Sequence, residues 1–214
     1  MMTEQATNDF TRLQLQFLGN PLDFADDGRV AELLKPFSPD SIKPCPQAWL
    51  RLQPWAEQQW QVPPEMFDFQ AHPLGCYLLA PIEQTRRMAE WLGALAYYPI
   101  IRVTLKGEIL NALKHELPNC YPDVLRHARA FQKWQSSLSA SVTDKTLSPS
   151  RIRSHGLGLL LTMFVSIPSS IIRRWKLRFP AAEIDDVEPV AWPADAEADK
   201  QLLEELNHRG LLGV

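Results

Sequence analysis

Apolar residues recur at helical spacing through the middle of the chain. Between Ile82 and Tyr98, Met88, Trp91, Leu92 and Leu95 stand at i, i+3, i+4 and i+7, one face of a helix. Pro99, which lacks an N–H, is expected to end or restart that helix. Ile101, Leu105, Ile109, Leu113 and Leu117 then repeat every four residues up to Pro118, whose ring pushes the preceding residue out of the helical region. Asp123 is placed to cap a third helix carrying Leu125, Ala128, Phe131 and Leu138. The stretch Arg151 to Ile167 contains GLGLLLTMFVSI, apolar all round, and predicts a helix buried on every side. It falls far short of the roughly 20 residues that cross a bilayer. Pro168 follows, with Ser169 or Ser170 as cap for a further helix through Trp175.

The ends of the chain read differently. Leu13, Leu15 and Phe17 alternate with Gln14 and Gln16, a period-2 pattern for a short strand or extended arm. Residues 1–12 before it are expected to be disordered. Asp26 to Leu34 predicts a short helix ending before Pro36, and a second covers Gln47 to Trp60 with Trp49, Leu52, Trp55 and Trp60. Ser136 to Ser150 reads as a surface loop, Ala181 to Ala198 as an acidic linker or strap, and Lys200 to Arg209 as an amphipathic helix bearing Leu202, Leu203 and Leu206. The fold class is mainly α: one irregular multi-helix domain over 1–214. Its Pro-rich layer (13–81) packs over a helical core (82–180), followed by the linker (181–198) and a C-terminal helix (199–210).

Composition supports a packed chain, with 45% hydrophobic and 22% charged residues. Eighteen prolines against nine glycines predict many short helices joined by stiff connections. Seven tryptophans suit cores and interfaces equally. Cys45, Cys76 and Cys120 are odd in number and far apart, which fits buried or semi-buried thiols in a reducing compartment rather than a zinc or redox motif. The opening MMTEQATNDF is polar and acidic, unlike a secretory signal. Charge is uneven: from Gln84 to Arg178 fifteen bases face five acids, whereas from Glu183 to Glu205 nine acids face Lys200 alone. A basic body with acidic ends calls for an electronegative partner or internal balance.

Catalytic signatures are absent. The sequence contains no phosphate loop, dinucleotide fingerprint or nucleophile elbow. His115-Glu116 begins like a zinc-protease helix, but Asn119 stands where the second ligand belongs. His72, His127, His155 and His208 lack partners at ligand spacing. In HPLG (72–75) and HGLG (155–158) the glycines are read as allowing a tight turn or close helix packing. No enzyme activity, cofactor or metal is therefore expected. A basic surface for nucleic acid is the alternative, with Arg173, Arg174, Lys176 and Arg178 alternating with Trp175, Leu177 and Phe179 as its densest patch. The candidate partner-binding residues are Arg86 and Arg87, near the start of the helix bearing Met88 and Trp91, and Arg173 and Arg174, near the end of the helix after Pro168. All four are expected to face solvent. Cations near a helix start oppose its dipole, so Arg86 and Arg87 have no evident local stabilising role.

Three stretches carry a family resemblance: Leu13 to Phe17 followed by Pro21; HPLG with Trp91–Leu95 and Ile101-Arg102 to Gly107; and Gly156, Leu159, Leu160, Pro168, Arg173, Arg174, Leu177, Arg178 and Pro180. On these residues the chain resembles the SctK proteins (YscK, PscK and their relatives) of bacterial type III secretion. The resemblance implies a helical, non-enzymatic sorting-platform adaptor, cytoplasmic and peripheral to the inner membrane. It also implies the partners: the inner-ring protein SctD and the pod protein SctQ, with SctL and SctN in the same assembly.

Overall fold

The computed structural model describes residues 4–118, 120–143, 145–193 and 195–211. Along the chain the helices are α1 (Glu4–Gly19), α2 (Pro21–Phe24), α3 (Asp27–Leu33), α4 (Pro39–Ile42), α5 (Pro46–Gln59), α6 (Gly75–Leu78), α7 (Ile82–Val103), α8 (Gly107–Glu116) and α9 (Tyr121–His127). A 3-10 turn, Ala128–Phe131, leads into α10 (Gln132–Ala140), followed by α11 (Pro149–Met163), α12 (Ser169–Leu177), α13 (Ala181–Ile184) and α14 (Ala196–His208). No strand occurs among the described residues, so the mainly α class holds. Side-chain caps start several helices: Asp26 Oδ1 accepts from Gly28 N at 3.0 Å, Ser148 Oγ from Arg151 N at 3.3 Å, and Asp195 Oδ1 from Glu197 N at 3.1 Å.

The helices form two compact units. Met1–Leu79 with Ile167–Asp185 make the first, and Ala80–Ser166 with Asp186–Val214 the second. In the first, Leu22, Val30, Leu34, Trp49 and Ala56 form a buried cluster. Phe17 stands edge-on to Phe24 and Phe69, with centroids 5.4 and 5.6 Å away. The expected strand at Leu13–Phe17 is helical instead, and the expected disorder at 4–12 is replaced by the same helix; residues 1–3 lie outside the described residues. Leu15 is 67% exposed while Phe17 is buried, so the alternation never marked one buried face. Leu and Gln are good helix formers, and with a single side chain to bury, propensity decides. The helix after Pro168 also belongs here rather than to the 82–180 core. It is capped by neither serine: Pro168 holds the cap position, and the Ser170 hydroxyl bonds Glu65.

In the second unit α7 runs unbroken through Pro99, contrary to the expected break. Proline leaves the carbonyl four residues earlier without its donor. Gln135 Nε2 on α10 supplies that donor, at 2.7 Å from the Leu95 carbonyl. The four-residue repeat after Pro99 is split between two helices: Ile101 is buried in the last turn of α7, Leu105 lies 94% exposed in the connection, and Leu113 is buried in α8. Asp123 does not cap the third helix, which starts at Tyr121 with Pro122 in its first turn. The 3-10 turn rephases that helix, burying Val124 and leaving Leu125 exposed. The serine-rich loop is shorter than expected, because α10 extends to Ala140.

From Gly156 to Met163 helix α11 is buried all round, as its composition predicts, whereas Ser150, Arg151 and Ser154 in its first turns are exposed, because the polar residues lie there. Two glycines show how the buried half packs. Gly93 of α7 lies against the Ile152 carbonyl and Gly156 of α11 against the Ala89 carbonyl, so the two backbones meet where a Cβ would collide. The remaining side is covered by the segment after Val187. Val190 N donates to the Gly158 carbonyl at 3.4 Å, and Thr162 Oγ1 donates to the Val190 carbonyl at 2.8 Å. The part of the acidic stretch at Glu188–Val190 is thus a strap over α11, while Ala181–Ile184 of the same stretch form α13 in the first unit. Beyond it, α14 starts at Ala196 and buries Leu202, Leu203 and Leu206. Gly156→Ala is expected to cost about 1–3 kcal/mol, since a backbone carbonyl must shift to admit the methyl. An unchanged denaturation midpoint would show that α7 and α11 do not meet at these glycines.

Candidate protein-docking surfaces

The four arginines singled out from the sequence divide by burial. Arg174 is 2% exposed, correcting the expectation that it faces solvent. It donates to Glu57 Oε1 at 2.9 Å, to the Val62 carbonyl at 2.6 Å and to the Phe17 carbonyl at 3.3 Å. That set ties α12 to α1, to α5 and to the segment after α5, a structural role that removes Arg174 from any contact surface. Arg173 is exposed and reaches Gln61 Oε1 at 3.2 Å. Arg178, next along the patch, donates to the Leu78 carbonyl at 2.6 Å and lies over the Phe24 ring; burial lowers its pKa to about 10. The alternating basic patch is therefore no continuous ridge, because two of its cations point inward.

Arg86 and Arg87 are half-buried on α7. Arg86 pairs with Glu83, one turn earlier, at 2.7 Å. Glu83 in the first turn suits the helix dipole and offsets the cations behind it. Arg86 is thus engaged locally rather than presented bare.

Other bases of the second unit are also held. Arg153 donates to Glu90 Oε1 at 2.8 Å and to the Glu116 carbonyl; Arg126 pairs with Asp123 at 3.4 Å; Lys133 reaches Gln201 and lies over Trp134. Among the described residues Arg102, Lys106, Lys114 and Arg129 have no hydrogen-bonding or ionic partner and are exposed. Arg102 and Arg129 line one cleft of about 370 Å³ with Tyr98, Ala128, Gln132 and Gln135. In the sequence these two were visible only as members of the basic block, because the cleft exists only if α7 continues past Pro99.

Burial also sets the remaining chemistry. Of the thiols expected to be buried or semi-buried, Cys45 and Cys76 are exposed. Cys120 is buried, its thiol pKa pushed well up by burial and by Glu90 and Asp123, while its Sγ donates to the Glu90 carbonyl. His155 Nε2 lies 2.8 Å from Ser141 Oγ, but that hydroxyl gives its one proton to the Leu138 carbonyl at 2.6 Å. The imidazole must then donate to the serine and is no base for it. Burial lowers the His155 pKa, favouring this neutral form. The HPLG glycine, Gly75, opens α6 hard against the Phe69 carbonyl, a close approach rather than a tight turn. No group of three His, Cys, Asp or Glu among the described residues could hold a metal ion. None of their helices is long and apolar enough to cross a membrane.

Comparison with known proteins accords with such a helical chain. No curated protein and no solved structure matches it. Residues 51–210 match the family described as YOP proteins translocation protein K (YscK), a span that takes in α7, α11, Arg174 and the strap, and leaves out only the Leu13–Phe17 element of the stretches singled out above. Covering most of the chain, this match shows that the protein belongs to the YscK family and is a type III secretion protein.

Proposed function

We propose that this chain is a non-enzymatic adaptor of the type III secretion sorting platform. In this reading it works in the cytoplasm at the inner membrane without inserting, and links the inner-ring protein SctD to the pod protein SctQ, with SctL and SctN in the same assembly. The family match over residues 51–210 carries the proposal. Exposed cations without internal partners beside exposed apolar residues such as Val103 and Leu105 support it, because steered and salt-sensitive docking uses such surfaces. The test is association of the purified chain with the cytoplasmic domain of SctD and with SctQ, singly and together. Binding of both at once is the expected result. Failure to bind either, together with tight binding of RNA or DNA, would replace the adaptor by the nucleic-acid reading.

A further inference from the structure

We propose that the cleft between α7 and the 3-10 turn is a docking site for an acidic peptide segment of a protein partner, gripped by Arg102 and Arg129. The inference rests on the adaptor reading and adds where a partner binds and what chemistry it brings.

Both guanidiniums are exposed and lack an internal partner, and none of the six residues lining the cleft is acidic. Arg102 belongs to the last turn of α7 and Arg129 to the 3-10 turn, so two different elements aim positive charge at one concavity. A guanidinium offers a planar fork of donors that carboxylates fill bidentately.

The rest of the lining carries no charge. Gln135 Nε2 is committed to the Leu95 carbonyl and to Ser139 Oγ, which fixes the amide orientation, since a carbonyl can only accept. Its Oε1 is then buried without a donor. Being buried, it takes no part in binding, and Ala128 and the Tyr98 ring provide apolar lining for a side chain between two carboxylates.

A nucleic-acid backbone fits less well. It needs a long track of cations, and elsewhere in the second unit Arg126, Arg153 and Lys133 are held by Asp123, by Glu90 and by Gln201.

The experiment uses the full chain immobilised, with the SctD cytoplasmic domain and SctQ as analytes at low and moderate salt. R102E/R129E is expected to weaken one partner by about tenfold or more and to flatten its salt dependence. K114E/K145E removes as much charge from exposed surface and is expected to change affinity by less than about threefold. Equal losses in both variants, or none in the first, would overturn the cleft. So would loss of DNA or RNA binding in R102E/R129E with partner binding intact. If the wild-type chain binds neither protein, the adaptor reading falls by itself, and a photo-crosslinker at Gln132 in secreting cells decides the cleft. A crosslink mapped to an acidic peptide of a secretion component keeps it, and no crosslink removes it. Circular dichroism confirms that each variant is folded.

Discussion

Arg174→Ala is expected to lower stability by about 3–5 kcal/mol, the range for removing one member of a buried ion pair. The loss has three parts. The Glu57 carboxylate, 13% exposed, keeps its charge without its partner. The carbonyls of Phe17 and Val62 lose their donor in an apolar setting. The helices those groups belong to are also no longer tied to α12. Arg173→Ala, one residue earlier and exposed, is expected to stay within about 0.5 kcal/mol. Arg174→Met with Glu57→Leu should recover part of the loss, because apolar replacement of both charges removes the unpaired one. Recovery stays partial, since the two carbonyls remain without donors. Urea midpoints of the four proteins measure this. A small effect of Arg174→Ala would mean that Glu57 and the carbonyls are reached by water.

Leu160→Ala is expected to cost about 2–5 kcal/mol, from the lost burial of the removed atoms and the cavity they leave. Leu160 is fully buried in the last turn of α11, a helix whose C-terminal half is buried on all its faces and which meets α7 through glycine-mediated backbone contact. Close backbone contact of that kind resists collapse around a void, which places the cost toward the upper part of the range. Val165, two residues past the end of α11 and 70% exposed, supplies the control: Val165→Ala should move the midpoint hardly at all. A Leu160→Ala melting temperature equal to wild type would show that α11 is peripheral.

The resemblance read from Gly156, Leu160, Pro168 and the basic run after it holds at family level, and these residues lie inside the matched span. The resemblance could be read because those positions do backbone and core work that leaves few substitutes: a glycine where two helices touch, leucines facing inward, a buried arginine. The binding surface was less legible. Arg102 and Arg129 are ordinary bases in the sequence, 27 positions apart and on opposite sides of an expected helix break.

Local rules sufficed where the physics is local. Apolar spacing located α7, the stretch ending before Pro36 located α3, and the all-apolar run from Gly156 foretold the solvent-free half of α11, because periodicity and helix breaking depend on residues within a turn or two. Two of the misreadings, Pro99 and Arg174, share one cause. Pro99 breaks no helix because Gln135, 40 residues away from Leu95, donates to the freed carbonyl. Arg174 faces inward because Phe17, Glu57 and Val62, more than a hundred residues earlier, surround it. Helix content and the buried faces were settled by the sequence itself. Which prolines are tolerated and which cations stay free was decided only by the tertiary structure, since the partner of each polar group is chosen by folding and not by neighbourhood in the chain.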